Sequence, residues 1–194
     1  MRVVVINRVS LDGVMQAPGN PEEDTRDGFE HGGWATERSG DAALGAAMGE
    51  RMGQDFTWLF GRRSYEGMLS YWNRVGGPFK EGLNQIHKYV ASSGPDTDLP
   101  WPNSTLLTGD VPSEVAALRE QRGSNLVIMG SGHLIRSLLP HELIDELLLM
   151  IHPIVLGSGQ RLFGSEGQAR TLQLLEATTT ESGVLLVTYG RDSS

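Results

Sequence analysis

The chain of 194 residues has no cysteine at all. That absence excludes a disulfide framework, a thiol nucleophile and any cysteine-built zinc or iron–sulfur site. It also lacks long apolar runs: the stretch Leu147 to Ile151 is far too short to cross a bilayer. The N-terminus has one early arginine and then the strand-like Val3 to Ile6, with no extended apolar segment and no small-residue cleavage site, so no signal peptide is expected. These features together lead to the expectation of a cytoplasmic protein. Basic charge is also scarce. Net charge is −8, and the only basic cluster is Arg62-Arg63. Two arginines are too few for a duplex footprint but suffice for one or two phosphates. The five histidines show no ligand spacing such as His-x-x-x-His, and no metal is expected.

What is present is strand–helix alternation. Buried-type strands are predicted over Arg2 to Val9, Phe56 to Phe60, Tyr89 to Ala91, Thr105 to Thr108, Leu126 to Met129 and Leu147 to Ile151. Helices are predicted over Asp41 to Met52, with Asp41 as N-cap, then Arg63 to Leu69, Phe79 to Ile86, Pro112 to Gln121 and His133 to Leu139. The segment Thr171 to Tyr189 reads as a hairpin turning at Ser182-Gly183. This order predicts a single α/β domain over residues 1–190, with a mostly parallel central sheet, helices on both faces and an antiparallel C-terminal hairpin. Residues 191–194 are expected to form a frayed tail. Residues 17–40 carry prolines and glycines without periodicity, and a loop of that length is usually functional or disordered.

Three strand ends carry phosphate-type turns. Gly130-Ser131-Gly132 follows an apolar strand and opens a helix, where glycines allow close approach and free N–H groups suit an anion. The same sequence also suits a plain tight turn. It is neither a dinucleotide fingerprint, since position 135 is isoleucine, nor a Walker loop. Gly61-Arg62-Arg63-Ser64 places two guanidinium groups at a helix start, where cations oppose the helix dipole and a bound anion would resolve the conflict. Ser92-Ser93 ends a third strand, where an NAD-specific site would place an acid for the ribose hydroxyls. A pyrophosphate plus a 2′-phosphate would use all three turns, so NADPH is the expected cofactor. Asp12, in Ser10-Leu11-Asp12-Gly13, is either a substrate-orienting carboxylate or part of an Asp-Gly turn.

In this order and spacing the chain resembles the dihydrofolate reductase superfamily. It is most similar to the branch related to the reductase domain of bifunctional riboflavin-biosynthesis enzymes (the RibD C-terminal domain). The resemblance rests on Ser10-Leu11-Asp12-Gly13, Gly61 to Glu66, Val90 to Ser93, Gly130 to Gly132 and His152 to Gly159. It implies a dihydrofolate-reductase-like three-layer fold. It also implies NADPH-dependent hydride transfer to a C=N or C=O of a pterin- or aminouracil-like heterocycle. By the same resemblance Arg62, Ser92 and Ser93 would hold the 2′-phosphate. Gly61, Arg63 and Ser64 would meet the pyrophosphate, with Gly130, Ser131, Gly132 and His133 on its other side. Val14 and Met15 would flank the nicotinamide, and Phe29, His31 and Trp34 would wall the substrate pocket. Asp12 or Asp41 would be the catalytic carboxylate, with Glu37 or a water as other proton sources. The sequence departs from dihydrofolate reductases in having no proline before Trp34 and Met150 where a sixth-strand threonine is usual. The alternative from another class is a non-catalytic NADP-binding regulatory module. The apolar stretch from Leu147 to Leu156 leads to the expectation of a homodimer, with a small-molecule substrate and neither nucleic acid nor membrane as partner.

Overall fold

Eight strands run in chain order as β1 (Val3–Ser10), β2 (Phe56–Gly61), β3 (Lys88–Ala91), β4 (Ser104–Leu107), β5 (Asn125–Met129), β6 (Glu146–His152), β7 (Leu172–Thr179) and β8 (Leu185–Arg191). The helices are α1 (Ala42–Met52), α2 (Arg62–Val75), α3 (Pro78–Gln85), α4 (Val111–Glu120) and α5 (Gly132–Leu138). The computed structural model describes residues 1–164 and 169–192.

The strands form one sheet in the order β4-β3-β2-β5-β1-β6-β8-β7. Every pair from β4 to β6 is parallel, while β6–β8 and β8–β7 are antiparallel. A central parallel strand is covered on both faces, which is why β1 and β5 read as unbroken apolar runs. Successive side chains then point to opposite faces. Val3 and Val5 join Leu126, Ile128, Leu134 and Ile135 in one core layer, under α4 and α5. Val4 and Ile6 join Trp58, Phe60, Val127 and Leu148 in the other, under α1, α2 and α3. The fold is the three-layer dihydrofolate-reductase-like α/β arrangement.

Caps fix the helix starts. Asp41 accepts a hydrogen bond from Ala43 N–H (3.0 Å), and Asp110 accepts one from Ser113 N–H (3.1 Å). The latter sets the start of α4 at Val111 rather than Pro112. Helix α2 runs to Val75, beyond the expected end at Leu69, because tertiary contacts extend it. Trp72 packs edge-on against Phe79 (4.7 Å between ring centroids), and Asn84 donates to Asn73 Oδ1 at 2.9 Å. Arg191, expected in a frayed tail, pairs with Leu172 as the last residue of β8; residues 193–194 lie outside the described residues. The run Leu147 to Ile151, the first part of the stretch expected to face a partner, lies in β6 between β1 and β8 and is largely buried within the chain. Further along the same stretch Val155 is exposed, as are Leu11, Phe163 and, on the edge strand β7, Leu174 and Leu175. Among the described residues no helix is long and apolar enough to cross a membrane.

Leu126 is fully buried on β5, paired with Val3 of β1 and Thr57 of β2. Leu126→Ala is expected to lower unfolding free energy by about 2–5 kcal/mol in urea titrations, since neighbours on two strands cannot collapse into the cavity.

Candidate functional site

Because β3, β2 and β5 are adjacent and parallel, their C-terminal ends stand side by side. They open into a cleft of about 2080 Å³ that also reaches the ends of β1 and β6, α1 and the 17–40 stretch. Ordinary small-molecule pockets hold about 300–1000 Å³, so this cleft has room for two ligands end to end.

The turns at one end of the cleft are joined. Gly61 N–H donates to Ser131 Oγ (2.9 Å), and Ser64 Oγ donates back to Gly130 C=O (3.1 Å). Gly130 has φ +68°, a conformation costly for other residues. Arg62 and Arg63 stand exposed on the first turn of α2, with Arg62 Nε on Glu66 Oε1 at 2.7 Å. Ser92 is buried, sharing a hydrogen bond with Thr97 Oγ1 (2.7 Å) and accepting one from Gly94 N–H (3.2 Å), while Ser93 is exposed. Gly132 is buried against Met15, whose sulfur a Cβ there would strike, and His133 is exposed. Gly61, Arg62, Arg63, Ser64, Ser92, Ser93, Gly130, Ser131, Gly132, His133 and Met15 all line the cleft.

The remaining candidates lie away from it. Asp12 accepts from Ser10 Oγ (2.6 Å), Leu156 N–H (3.1 Å) and Gly157 N–H (2.9 Å), and Arg161 pairs with it at 3.4 Å. These bonds hold its carboxyl far below the usual carboxylate range, so it anchors the segment after β6 and has no proton to give. Asp41 caps α1 and accepts from Ser182 Oγ (2.7 Å). Its pKa is lowered to about 2, chiefly by that hydrogen bond. Val14 is fully buried beside Phe29, Trp34 and Ala35 in a small separate core, so its side chain flanks no ligand. Trp34 Nε1 donates to Gln16 C=O (2.7 Å), and its ring meets His152 edge-on at 5.3 Å. Phe29 packs edge-on with the exposed His31 at 5.6 Å. Phe29, His31 and Trp34 thus secure the long stretch rather than wall the cleft, and Glu37 does not line it. The decisive partners of Asp12, Asp41 and Trp34 (Leu156 and Gly157, Ser182, and His152) are distant in sequence.

The far end of the cleft is built from residues the sequence reading passed over. Ile6, Asn7 and Arg8 come from β1, Met48 from α1, Met150 from β6 and Glu23 from the 17–40 stretch. Arg8 Nη1 donates to Ser39 Oγ at 3.1 Å. Loss of solvent lowers the Arg8 pKa, an effect opposed by Glu23. Glu23 itself is exposed, and the partial loss of solvent at the cleft raises its pKa. Gln16 organises the stretch above them: its Nε2 donates to Asp24 and Arg26 C=O (3.2 and 3.1 Å), and its Oε1 accepts from Gln160 N–H (2.9 Å). A signal for this end was available, because Asn7-Arg8 interrupts an otherwise apolar buried strand. Glu23 had none.

The chain matches the RibD C-terminal domain family over residues 2–186. It belongs to that family. The family is of reductase type. A curated relative, the uncharacterized protein YyaP of Bacillus subtilis (strain 168), is 32% identical over 139 residues, spanning 69% of this chain and 72% of that protein. Among solved structures, a putative riboflavin biosynthesis protein from Shewanella sp. PV-4 has TM-score 0.72 at 24% identity, covering 99% of both chains. Dihydrofolate reductase from Enterococcus faecalis, complexed with NADP(H) and RAB-propyl, has TM-score 0.59 at 16% identity, covering 99% of this chain and 97% of its own. These likenesses carry the fold.

His152 is fully buried, and neither ring nitrogen has a hydrogen-bond partner among the described residues. Burial lowers its pKa from 6.5 to about 4, aided by Arg8 and Arg38. Above pH 6.5 neither folded nor unfolded chain binds a proton there. Between 6.5 and 4 only the unfolded chain does, so stability falls as pH falls. The loss is expected to reach about 3 kcal/mol near pH 4. Urea titrations at pH 7 and 4.5 check it: His152→Leu should lose less stability between them than wild type.

Proposed function

We propose that this chain is an NADPH-dependent reductase acting on a C=N or C=O of a small heterocycle of pterin or aminouracil type. The observation that carries this reading is the meeting of three strand-end turns, with Arg62 and Arg63 between them, on one face of a cleft large enough for two ligands. The residues fit such a cofactor. At Gly61 the backbone is ordinary (φ −75°), and an added Cβ would meet Ser131 only at 3.6 Å. Neither strain nor crowding within the chain calls for glycine there, whereas close approach of a ligand does. Arg63 and Ser93 are exposed on the cleft and stand free to reach a 2′-phosphate, with Arg62 released from Glu66. Met15, on Gly132, would flank the nicotinamide. When bound, the cofactor supplies the hydride; the chain orients both ligands and limits their contact with water. The E. faecalis enzyme of the same fold, complexed with NADP(H), lends support.

A non-catalytic NADP-binding module would need no space beyond the cofactor turns. The cleft continues past them to Arg8 and Met150, which favours the enzyme.

The test is calorimetric binding of NADPH and NADH, followed by loss of nicotinamide absorbance with a panel of pterins, aminouracils and dicarbonyls. Arg62→Ala and Arg63→Ala are expected to weaken NADPH binding by about ten- to 150-fold in combination, the worth of a charge-assisted phosphate contact at about 1.5–3 kcal/mol, and to leave NADH nearly unaffected. Equal wild-type affinity for the two dinucleotides would defeat the 2′-phosphate assignment.

A further inference from the structure

With Asp12 and Asp41 withdrawn from the cleft, a reductase of this kind still needs a proton for the substrate. The 17–40 stretch and α2 bring Glu22, Glu23, Asp24 and Glu66 to the cleft. Glu66 accepts from Arg62, and Asp24 is ion-paired with Arg26. Either carboxylate would have to give up its cation to take a proton. Glu22 has no side-chain partner fixing its carboxyl among the described residues. Glu23 differs from all three. Its Oε2 accepts from Gly19 N–H (2.6 Å) and Asn20 N–H (3.3 Å), which pins the carboxyl by one oxygen and leaves Oε1 without a partner among the described residues. Its charge is coupled to Arg8, which approaches the cleft from β1.

We propose that Glu23 is the acid that delivers the proton to the substrate, and that Arg8 holds a substrate carbonyl or anionic oxygen beside it. The proposal rests on the reductase reading above. The substrate would then be a planar heterocycle bearing such an oxygen, lying against Ile6, Met48 and Met150. Methionine thioethers adapt to an aromatic face, and α1 contributes Met48 to the cleft.

The step balances as follows. The substrate carbon receives a hydride from the reduced nicotinamide, so a C–H bond forms there as one breaks on the donor. The C=N or C=O electron pair moves onto the heteroatom, which takes the proton from Glu23 Oε1. The O–H bond breaks, the heteroatom–H bond forms, and the carboxylate left behind is stabilised by Arg8 until solvent reprotonates it. The substrate gains a hydride and a proton, and the dinucleotide is oxidised.

The charged groups bearing on Glu23 are Arg8 from β1 and Asp24 from its own stretch, while His152 of β6 is coupled to Arg8. Glu23 stays exposed at the rim of the cleft; the partial loss of solvent it meets there raises its pKa, its two backbone hydrogen bonds and Arg8 oppose that, and Asp24 reinforces it. A pKa raised toward the working pH is what a general acid requires.

The experiment compares single-turnover reduction from pH 5 to 9 in wild type, Glu23→Gln and Glu23→Asp. It adds the NADPH Kd of each protein and a carbon-13 titration of the Glu23 carboxyl in the free protein. Wild-type rate should fall about tenfold per pH unit above the Glu23 titration. Glu23→Gln should lose a factor of about 100 or more, together with that limb of the profile, at unchanged NADPH affinity. Glu23→Asp should recover part of both. An active wild type whose Glu23→Gln variant keeps its rate and pH profile overturns the inference alone, as does a Glu23 titration in the ordinary carboxylate range. A wild type that binds NADPH but reduces nothing in the panel overturns the reductase reading and this inference with it.

Discussion

The hydrogen bond from Gly61 N–H to Ser131 Oγ, answered by Ser64 Oγ on Gly130 C=O, ties the ends of β2 and β5 together. Both turns leave the sheet in the same direction because the two strands are parallel neighbours. Each bond spans about seventy residues of sequence, with separations of 70 and 66, and neither turn would hold its shape if the other were displaced. The two serines spend their hydroxyls differently. Ser131 accepts, so its own proton is free to donate, whereas Ser64 has already donated and can only accept. An anion in the cradle is therefore met by Ser131, backbone N–H groups and the guanidinium groups of α2. Ser64 serves it by fixing Gly130 at positive φ.

Much of the fold was legible because its determinants are local. The unbroken apolar runs of β1 and β5, the aspartate cap of α1, the proline at the start of α4 and glycine at the strand ends each act within a few residues. The same locality explains where the reading failed. Asp12 looks like a catalytic carboxylate because only Ser10 lies near it in sequence to claim an oxygen; the other claimants are Leu156, Gly157 and Arg161, far along the chain. Asp41 was rightly read as a cap, and that same role disqualifies it, since its second oxygen belongs to Ser182. Trp34, Phe29 and Val14 are apolar residues in or beside a long loop, and that pattern fits a pocket wall as well as a small core. Only the packing of Trp34 on His152 and its bond to Gln16 distinguishes the two.

The length of the 17–40 stretch acquires a physical reason from Gln16. A loop this long would ordinarily leave many backbone groups unsatisfied, and the buried Gln16 side chain satisfies three of them at once: two carbonyls of the stretch and one N–H of the segment after β6. Asp12 fixes that same segment from the other side through Leu156 and Gly157. Gln16 and Asp12 therefore build the frame that holds the stretch carrying Glu23 at the cleft.

The two ends of the cleft are made in different ways, and this bears on what each can specify. The end at the three turns consists of strand termini whose positions follow from the register of adjacent parallel strands; to move one is to break the ladder. The far end is made of side chains: Arg8 and Asn7 on β1, flexible methionines from α1 and β6, and Glu23 on a stretch held by side-chain bonds rather than by sheet pairing. Substitutions at that end alter shape and charge without disturbing the sheet. A buried strand that places Asn7-Arg8 where apolar residues would add more stability has accepted a desolvation cost there, and such a cost persists where a ligand meets the charge. On the proposed reading, the methionine walls and the carboxylates of the 17–40 stretch flank Arg8, so specificity would reside in β1 and the loop above it rather than in the glycine turns.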